Sequence, residues 1–155
     1  MHVLIATDGS QQSLDAAAYL RSFADPETIT SIAVLAVVSP LAAVPFANDA
    51  EGAGDTPEDI SFRRSAERAT EQMAHGLREW AAEVTTHVYG GSASAEIVKA
   101  ARDMGSELIV IASNSSRAEA MLMGSVAHRV INTAPCPVLV VRPSDKPKAK
   151  RSRRH

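Results

Sequence analysis

The sequence predicts a single-domain α/β protein: a doubly wound, five-stranded parallel sheet with strand order 3-2-1-4-5 and four helices. Three observations predict this fold class. Short apolar runs rich in β-branched residues occur five times, and helical periodicity fills the four connections between them. Each connection is also long enough for the crossover helix that parallel strands require, and such crossovers are right-handed.

Length and composition set the limits of this fold. The 155 residues are 45% hydrophobic and 22% charged, as in one ordinary globular domain, whereas aromatic residues make up only 4%. The core must therefore be aliphatic and rich in alanine. The single cysteine, Cys136, excludes an intramolecular disulfide, and neither a secretory leader nor an apolar run of about 18 residues occurs. We therefore expect a cytoplasmic protein without membrane contact.

Charge is distributed unevenly along the chain. Six of the sixteen Lys and Arg residues lie between Lys146 and Arg154, so residues 1 to 145 carry ten basic against eighteen acidic side chains. The acidic body is not expected to attract nucleic acid. The tail over residues 143–155 has no apolar anchor, so we expect it to be disordered, either as a solvated tail or as a weak contact for nucleic acid.

The first three elements follow from apolar runs and turn residues. Val3 to Ala6 predicts the first strand, and Thr7 to Ser10 supplies turn chemistry with a final serine that can cap a helix. That helix is predicted from Gln11 to Ala24, with Asp25-Pro26 as its stop. Ile29 to Val38 predicts a second strand that is apolar enough to be covered on both faces.

A loop and a long helix come next. Residues 39–57 show no sustained period and are rich in Ala, Gly, Pro and acid, which predicts a long flexible loop. Thr56-Pro57 then starts a helix that is predicted to run to Glu83. Apolar residues at helical spacing form a stripe that should lie on the sheet: Phe62, Ala66, Ala69, Met73, Leu77, Trp80 and Val84.

The last part of the chain repeats the strand–helix pattern. Thr85 to Tyr89 predicts a strand, and Ser92 caps a helix that ends at Gly105. Leu108 to Ala112 predicts the fourth strand. A helix through Met123 to Ala134 and a final strand from Pro137 to Val141 complete the sheet.

The predicted strand order places a crevice between the carboxyl ends of strands one and four, where ligands of open α/β sheets bind. Asp8 stands on one side, where its carboxylate can either accept hydrogen bonds from ribose hydroxyls or merely hold the turn. Gly124-Ser125 stands on the other side, either as an anion site made of helix N–H groups or as a plain helix cap. A polar loop, Ser113 to Ser116, follows the fourth strand.

Catalytic and metal sites are not indicated. The histidines lack zinc-ligand spacing, no G-x-S-x-G elbow occurs, and Cys136 lies between two prolines where a small buried apolar role is expected. We therefore expect neither an enzyme nor a metal protein. The histidines are His2, His75, His87, His128 and His155.

Three segments together resemble the universal stress protein family: Val3 to Ser10, Gly124 to Val130, and Ala134 to Val141. The resemblance covers the chain up to Arg142. It implies an α/β sandwich of the strand order given above, the adenine nucleotide α-hydrolase-like fold. It also implies a homodimer, because the last strand in that family commonly pairs antiparallel with its copy, here through Val138 to Val141.

The resemblance further implies a candidate ATP site. Nucleotide-binding members of that family hold ATP with a glycine motif, which consists of G-x-x-G, a spacer of nine residues, and then G-S or G-T. Here Ala112 and Ser115 replace the first two glycines and only eight residues separate Ser115 from Gly124, while Gly124-Ser125-Val126 is intact. Ala6, Asp8 and Val37 match positions that line adenine and ribose. The candidate cofactor-binding residues are Ala6, Asp8, Val37, Ala112, Ser113, Ser115, Gly124, Ser125 and Val126.

Two functional hypotheses stay open. The first is a non-enzymatic, cytoplasmic stress-response protein that acts as a homodimer through contacts with unknown protein partners. The second is an adenine-nucleotide sensor or weak ATPase that uses the crevice. In the second hypothesis, the hydroxyls of Ser113 and Ser115 would have to replace what glycine backbone supplies in phosphate loops.

Overall fold

The structure, a computed structural model, describes residues 1–39, 57–113 and 125–142. Its five-stranded parallel sheet has the order β3-β2-β1-β4-β5, which confirms the predicted fold and strand order. The greater part of the predicted flexible loop and the predicted basic tail over 143–155 lie outside the described residues. None of the helices in the described ranges combines the length and apolarity that a membrane crossing requires.

Five strands and four helices occupy the described residues, and each lies where the sequence predicts it to within a few residues. A short 3-10 turn at Pro26–Thr28 delays the second strand by two residues. The elements are β1 His2–Ala6, α1 Gln11–Phe23, β2 Ser31–Val38, α2 Pro57–Arg78, β3 Val84–Gly90, α3 Ala93–Asp103, β4 Leu108–Ala112, α4 Ser125–Thr133 and β5 Val138–Val141.

Helix α2 differs from its prediction in two respects. It ends at Arg78 instead of Glu83, because the N–H groups of Trp80 and Ala81 both bond to the carbonyl of Leu77 and close the last turn. The predicted buried stripe is wrong at its start, since Phe62 is 46% exposed. A helix of 22 residues is about 33 Å long, whereas the seven residues of β3 span about 23 Å. The first turns of α2 therefore extend past the sheet, and burial begins near Thr70.

The sheet is covered on both faces by separate aliphatic clusters. Side chains alternate along β1, so Val3 and Ile5 pack with α1 and α2, while Leu4 and Ala6 pack with α3 and α4. The helices that follow β1 and β4 thus leave on opposite faces, as the predicted switch point requires.

The crevice opens because one ladder of the sheet ends earlier than its neighbours. Pairing between β1 and β4 stops at Ile5 and Val110. Pairing of β1 with β2 continues through Ala6, and the Thr7 N–H still bonds to the Leu35 carbonyl at 2.8 Å. The β4–β5 ladder likewise continues through Ala112. Strands β1 and β4 therefore separate at their carboxyl ends.

Candidate functional site

The turn after β1 forms one lip of the crevice. Gly9 has a φ of +81°, a conformation that other residues rarely adopt, and its N–H donates to Thr7 Oγ1 at 3.1 Å. Asp8 Oδ1 accepts a hydrogen bond from the Ser10 N–H at 2.9 Å. The turn-holding role of Asp8 is therefore present in the structure, and the carboxylate is exposed at the lip.

Buried hydroxyl groups fix the start of α1 behind this turn. Ser10 caps the helix by accepting from the Ser13 N–H, as predicted, and the Ser13 hydroxyl donates to the Ser10 carbonyl at 2.8 Å. The hydroxyls of Thr7 and Ser13 are 2.9 Å apart, and both residues are buried. The inner wall of the crevice is therefore polar, but its hydroxyl groups are hydrogen-bonded to each other and to the main chain.

A cavity of about 390 Å³ occupies the gap between β1 and β4, a size typical of small-molecule sites. Its walls are largely aliphatic, and Asp8 is the only ionisable side chain among the described residues that line it. The lining residues are Ala6, Thr7, Asp8, Ser13, Leu35, Val37, Ala93, Ile97, Ile111, Ala112, Ser125, Val126 and Ala127.

Most of the predicted site residues meet at this cavity. Six of the nine line it: Ala6, Asp8, Val37, Ala112, Ser125 and Val126. Ser113 is buried at the end of β4, where its N–H donates to the Val141 carbonyl. Ser125, the exposed first residue of α4, also lines the cavity, so the N-terminal end of that helix lies at the crevice. Ser115 and Gly124 lie outside the described residues.

The sequence reasoning missed the wall that α3 supplies. Ala93 and Ile97, from the first two turns of α3, line the cavity together with Val37 and Val126. A signal for them was available in the topology. Every helix that follows a parallel strand begins at the carboxyl edge of the sheet, and α3 shares a face with α4, so its N-terminus had to approach the same crevice.

A second concave surface, the α2 cleft, lies on the other side of the Asp8 turn. Its volume is about 540 Å³, and it shares Thr7, Asp8 and Val37 with the cavity. Its α2 wall combines the polar residues Ser65, Arg68 and Gln72 with the apolar residues Phe62, Ala66 and Ala69. The lining residues are Thr7, Asp8, Gly9, Ala36, Val37, Val38, Ser39, Phe62, Ser65, Ala66, Arg68, Ala69 and Gln72.

Groups that could supply covalent or metal chemistry are sparse in the part of the chain that the structure describes. No cluster of metal-ligating side chains occurs within 1–39, 57–113 and 125–142. Cys136 packs against the α3–α4 side of the core, and burial raises the pKa of its thiol. A raised pKa lowers the thiolate fraction at neutral pH, which makes this sulfur a poor nucleophile.

The fold and the crevice define a doubly wound α/β domain with a cavity at its switch point. The model of the universal stress protein family matches residues 1–142, and the chain belongs to that family. A universal stress protein of Methanocaldococcus jannaschii, MJ0531, is 34% identical over 148 residues, which cover 94% of this chain and 82% of that protein.

Solved structures share the fold at lower identity. The hypothetical protein MJ0577 superposes with a TM-score of 0.73 at 22% identity and covers 93% of this chain and 96% of its own. The universal stress protein of Archaeoglobus fulgidus in complex with dAMP superposes with a TM-score of 0.61 at 23% identity, and the match covers 90% of this chain and 96% of that chain. A universal stress protein in complex with cAMP superposes with a TM-score of 0.59 at 20% identity, and the match covers 93% of this chain and 98% of that chain.

Proposed function

We propose that this protein is a regulatory member of its family that binds an adenine nucleotide, with the adenosine moiety in the cavity between β1 and β4. The observation that carries the proposal is the convergence of three strand ends and three helix starts on one aliphatic cavity of about 390 Å³. Family members in complex with dAMP and with cAMP add support.

The chemistry of the cavity suits a nucleoside. Aliphatic side chains such as Val37, Ile97 and Val126 offer flat apolar contact to a base. Asp8, at the lip, offers carboxylate oxygens to ribose hydroxyls, and hydrogen bonds to a charged acceptor are stronger than those to a neutral one. Ser125 lies where the first N–H groups of α4 can contact the ligand.

Calorimetry with adenosine, AMP and ATP tests this proposal directly. We expect micromolar binding of adenosine and AMP, a matching rise in melting temperature, and much weaker binding of guanosine, whose exocyclic groups differ. The absence of both heat and thermal shift at millimolar adenosine, AMP and ATP would contradict the proposal. Because the protein is proposed as a cytoplasmic regulator without robust catalysis, ATP should also remain intact during prolonged incubation.

A homodimer through β5 is the second part of the proposal. The carbonyls of Pro137 and Val141 accept bonds from β4, from the N–H groups of Ile109 and Ser113 at 3.0 and 2.9 Å. Carbonyl directions alternate along a strand, so the main-chain groups of Val138 and Val140 face away from β4. Among the described residues no strand covers this edge, and an apolar edge strand favours pairing with a second copy across a twofold axis.

Val140→Pro tests the dimer without removing a bond to β4. Proline deletes the outward N–H of Val140, so we expect light scattering at micromolar concentration to give a monomer, whereas Val140→Thr, which keeps that N–H, should remain a dimer. Circular dichroism checks that both variants fold. A monomeric unmodified protein, or a folded Val140→Pro variant that stays dimeric, would contradict this part of the proposal.

A further inference from the structure

The β5 edge is too short to hold two subunits together by itself. Its four residues, Val138–Val141, are apolar and half-buried, and their outward main-chain groups can form only a few hydrogen bonds with a second copy. Stable protein interfaces bury about 1,200–2,000 Å² in total. A dimer through this edge therefore needs contacts from the helices that lie beside β5.

Helix α1 lies beside this edge on one face of the sheet. It contacts β4 and β5, whereas α2, on the same face, contacts β2 and β3. Leu139 and Val141 of β5 pack against the core cluster that contains Leu20 of α1. Helix α1 therefore lies between α2 and the β5 edge, and each of its two flanks faces one of them.

Two aromatic side chains occupy the flank of α1 that faces the β5 edge. Leu14 packs against the cluster that contains Met73 and Leu77 of α2, so it marks the opposite flank. At about 100° per residue, Tyr19 and Phe23 lie about 140° and 180° further around the helix. They are 52% and 60% exposed, and their ring centroids are 5.5 Å apart. The pair therefore forms one apolar surface beside the strand.

Helix α4 has the same arrangement on the other face of the sheet. It contacts α3 and β5, and Val126 lies on its cavity side together with Ile97 of α3. Ile131 lies about 140° further around the helix than Val126. Three of the six large apolar side chains that are exposed in the described ranges, Tyr19, Phe23 and Ile131, thus flank the β5 edge. Such a concentration of exposed apolar side chains is typical of an interaction surface.

Twofold symmetry brings the two copies of α1 to a distance that aromatic side chains can fill. An antiparallel pair of β5 strands has its axis perpendicular to the sheet, so α1 and its copy lie on the same face. With strands about 4.8 Å apart, a helix over β4 lies about 14 Å from its copy. Helices in direct contact pack about 8–10 Å apart, so long side chains must occupy the space between these two.

We infer that Tyr19 and Phe23 pack against α1 of a second copy of this chain, and that Ile131 makes the equivalent contact between the two copies of α4. The inference rests on the proposed homodimer, since the pairing of β5 fixes the position of the second copy. Aromatic side chains bury a large area and supply much of the binding energy of protein interfaces. Loss of the aromatic pair should therefore raise the dissociation constant of the dimer.

Analytical ultracentrifugation of the full chain measures this contribution. Phe23→Glu should raise the dissociation constant of the dimer at least about thirtyfold, because it places a charge in the apolar contact. Phe62→Glu is the matched control: it makes the same change at a 46% exposed position of α2, away from β5, and should leave the constant within about twofold. Phe23→Leu, which stays apolar, should lose less affinity. Circular dichroism checks that the variants fold.

Tyrosine nitration tests the contact without a substitution in α1. The chain has two tyrosines, and mass spectrometry distinguishes them. We expect Tyr19 to be nitrated slowly in the dimer and faster in the monomeric Val140→Pro variant. The half-buried Tyr89, on β3 at the far side of the sheet, is the internal reference and should react at the same rate in both.

Two results would overturn the inference and leave the β5 dimer in place. One is a dissociation constant that Phe23→Glu does not change, and the other is equal nitration of Tyr19 in the dimer and in the Val140→Pro monomer. A dimer that Phe23→Glu dissociates while Val140→Pro does not would overturn both the pairing of β5 and the inference. A monomeric unmodified protein would remove the proposed dimer, and the inference with it.

Discussion

The two concave surfaces on either side of the Asp8 turn share Thr7, Asp8 and Val37 but receive different residues from the helices. The cavity on the α3–α4 side is aliphatic, with Ile97 and Val126 in its walls, whereas the α2 cleft presents Arg68 and Gln72. The helices of the two layers therefore set the charge of the two surfaces, because only the α2 cleft has a cation among its described lining residues.

Strand alternation and helix length together create this difference. Leu35 and Val37 point to the cavity side of β2, while Ala36 and Val38 line the cleft. Helix α3 begins at the sheet edge with the small residue Ala93, so its first turn closes the cavity. Helix α2 extends past the sheet, so its first half has no core to cover and keeps polar side chains beside the cleft.

The largest change in ligand affinity is expected from a substitution that fills the cavity and leaves the α2 cleft unchanged. Ala93→Trp places an indole in the space proposed for the base, and we expect adenosine and AMP affinities to fall on the order of a hundredfold. Ala95→Trp, on the exposed side of the same turn of α3, should leave both affinities unchanged. Equal calorimetric titrations for Ala93→Trp and the unmodified protein would show that the base binds elsewhere.

Asp8 lines both surfaces, and its negative charge should favour the ribose contact while repelling a phosphate. Asp8→Asn keeps an oxygen for the Ser10 N–H but weakens the ribose contact, and adenosine affinity should fall about fivefold. AMP affinity should fall less, because the substitution also removes a negative charge near the phosphate. Asp15→Asn, on the exposed face of α1, is the charge-matched control. A larger loss of affinity for AMP than for adenosine would contradict the placement of Asp8 in the wall of both surfaces.

Local sequence patterns predicted most of the fold because a parallel sheet requires apolar strands joined by helices, and both have a recognisable pattern of apolar residues. The apolar, β-branched runs from Ile29 to Val38 and from Leu108 to Ala112 are typical of strands covered on both faces, and turn residues mark where they end. The strand order then brought Asp8 and Ser125 to one crevice, where the structure has them. For Ala6, Val37, Ala112 and Val126, the family resemblance supplied positions that periodicity alone does not mark.

The parts that escaped prediction depend on lengths and contacts between distant segments. The apolar stripe on α2 is continuous in the sequence, yet Phe62 is exposed because the helix is longer than the sheet. A short window of sequence does not contain both the helix and the strands, so it cannot predict this difference in length. Ala93 has no chemical group that marks it as a site residue. The α2 cleft likewise requires Ala69 to approach Gly9, sixty positions earlier in the chain.

The early end of the β1–β4 ladder leaves main-chain polar groups at the cavity. Ala6 and Ile111 would form the next pair of that ladder, yet both line the opening instead. Every residue except proline carries both a peptide N–H and a carbonyl group. Hydrogen bonds to the main chain at this opening are therefore less sensitive to substitution than contacts with the side chains around it.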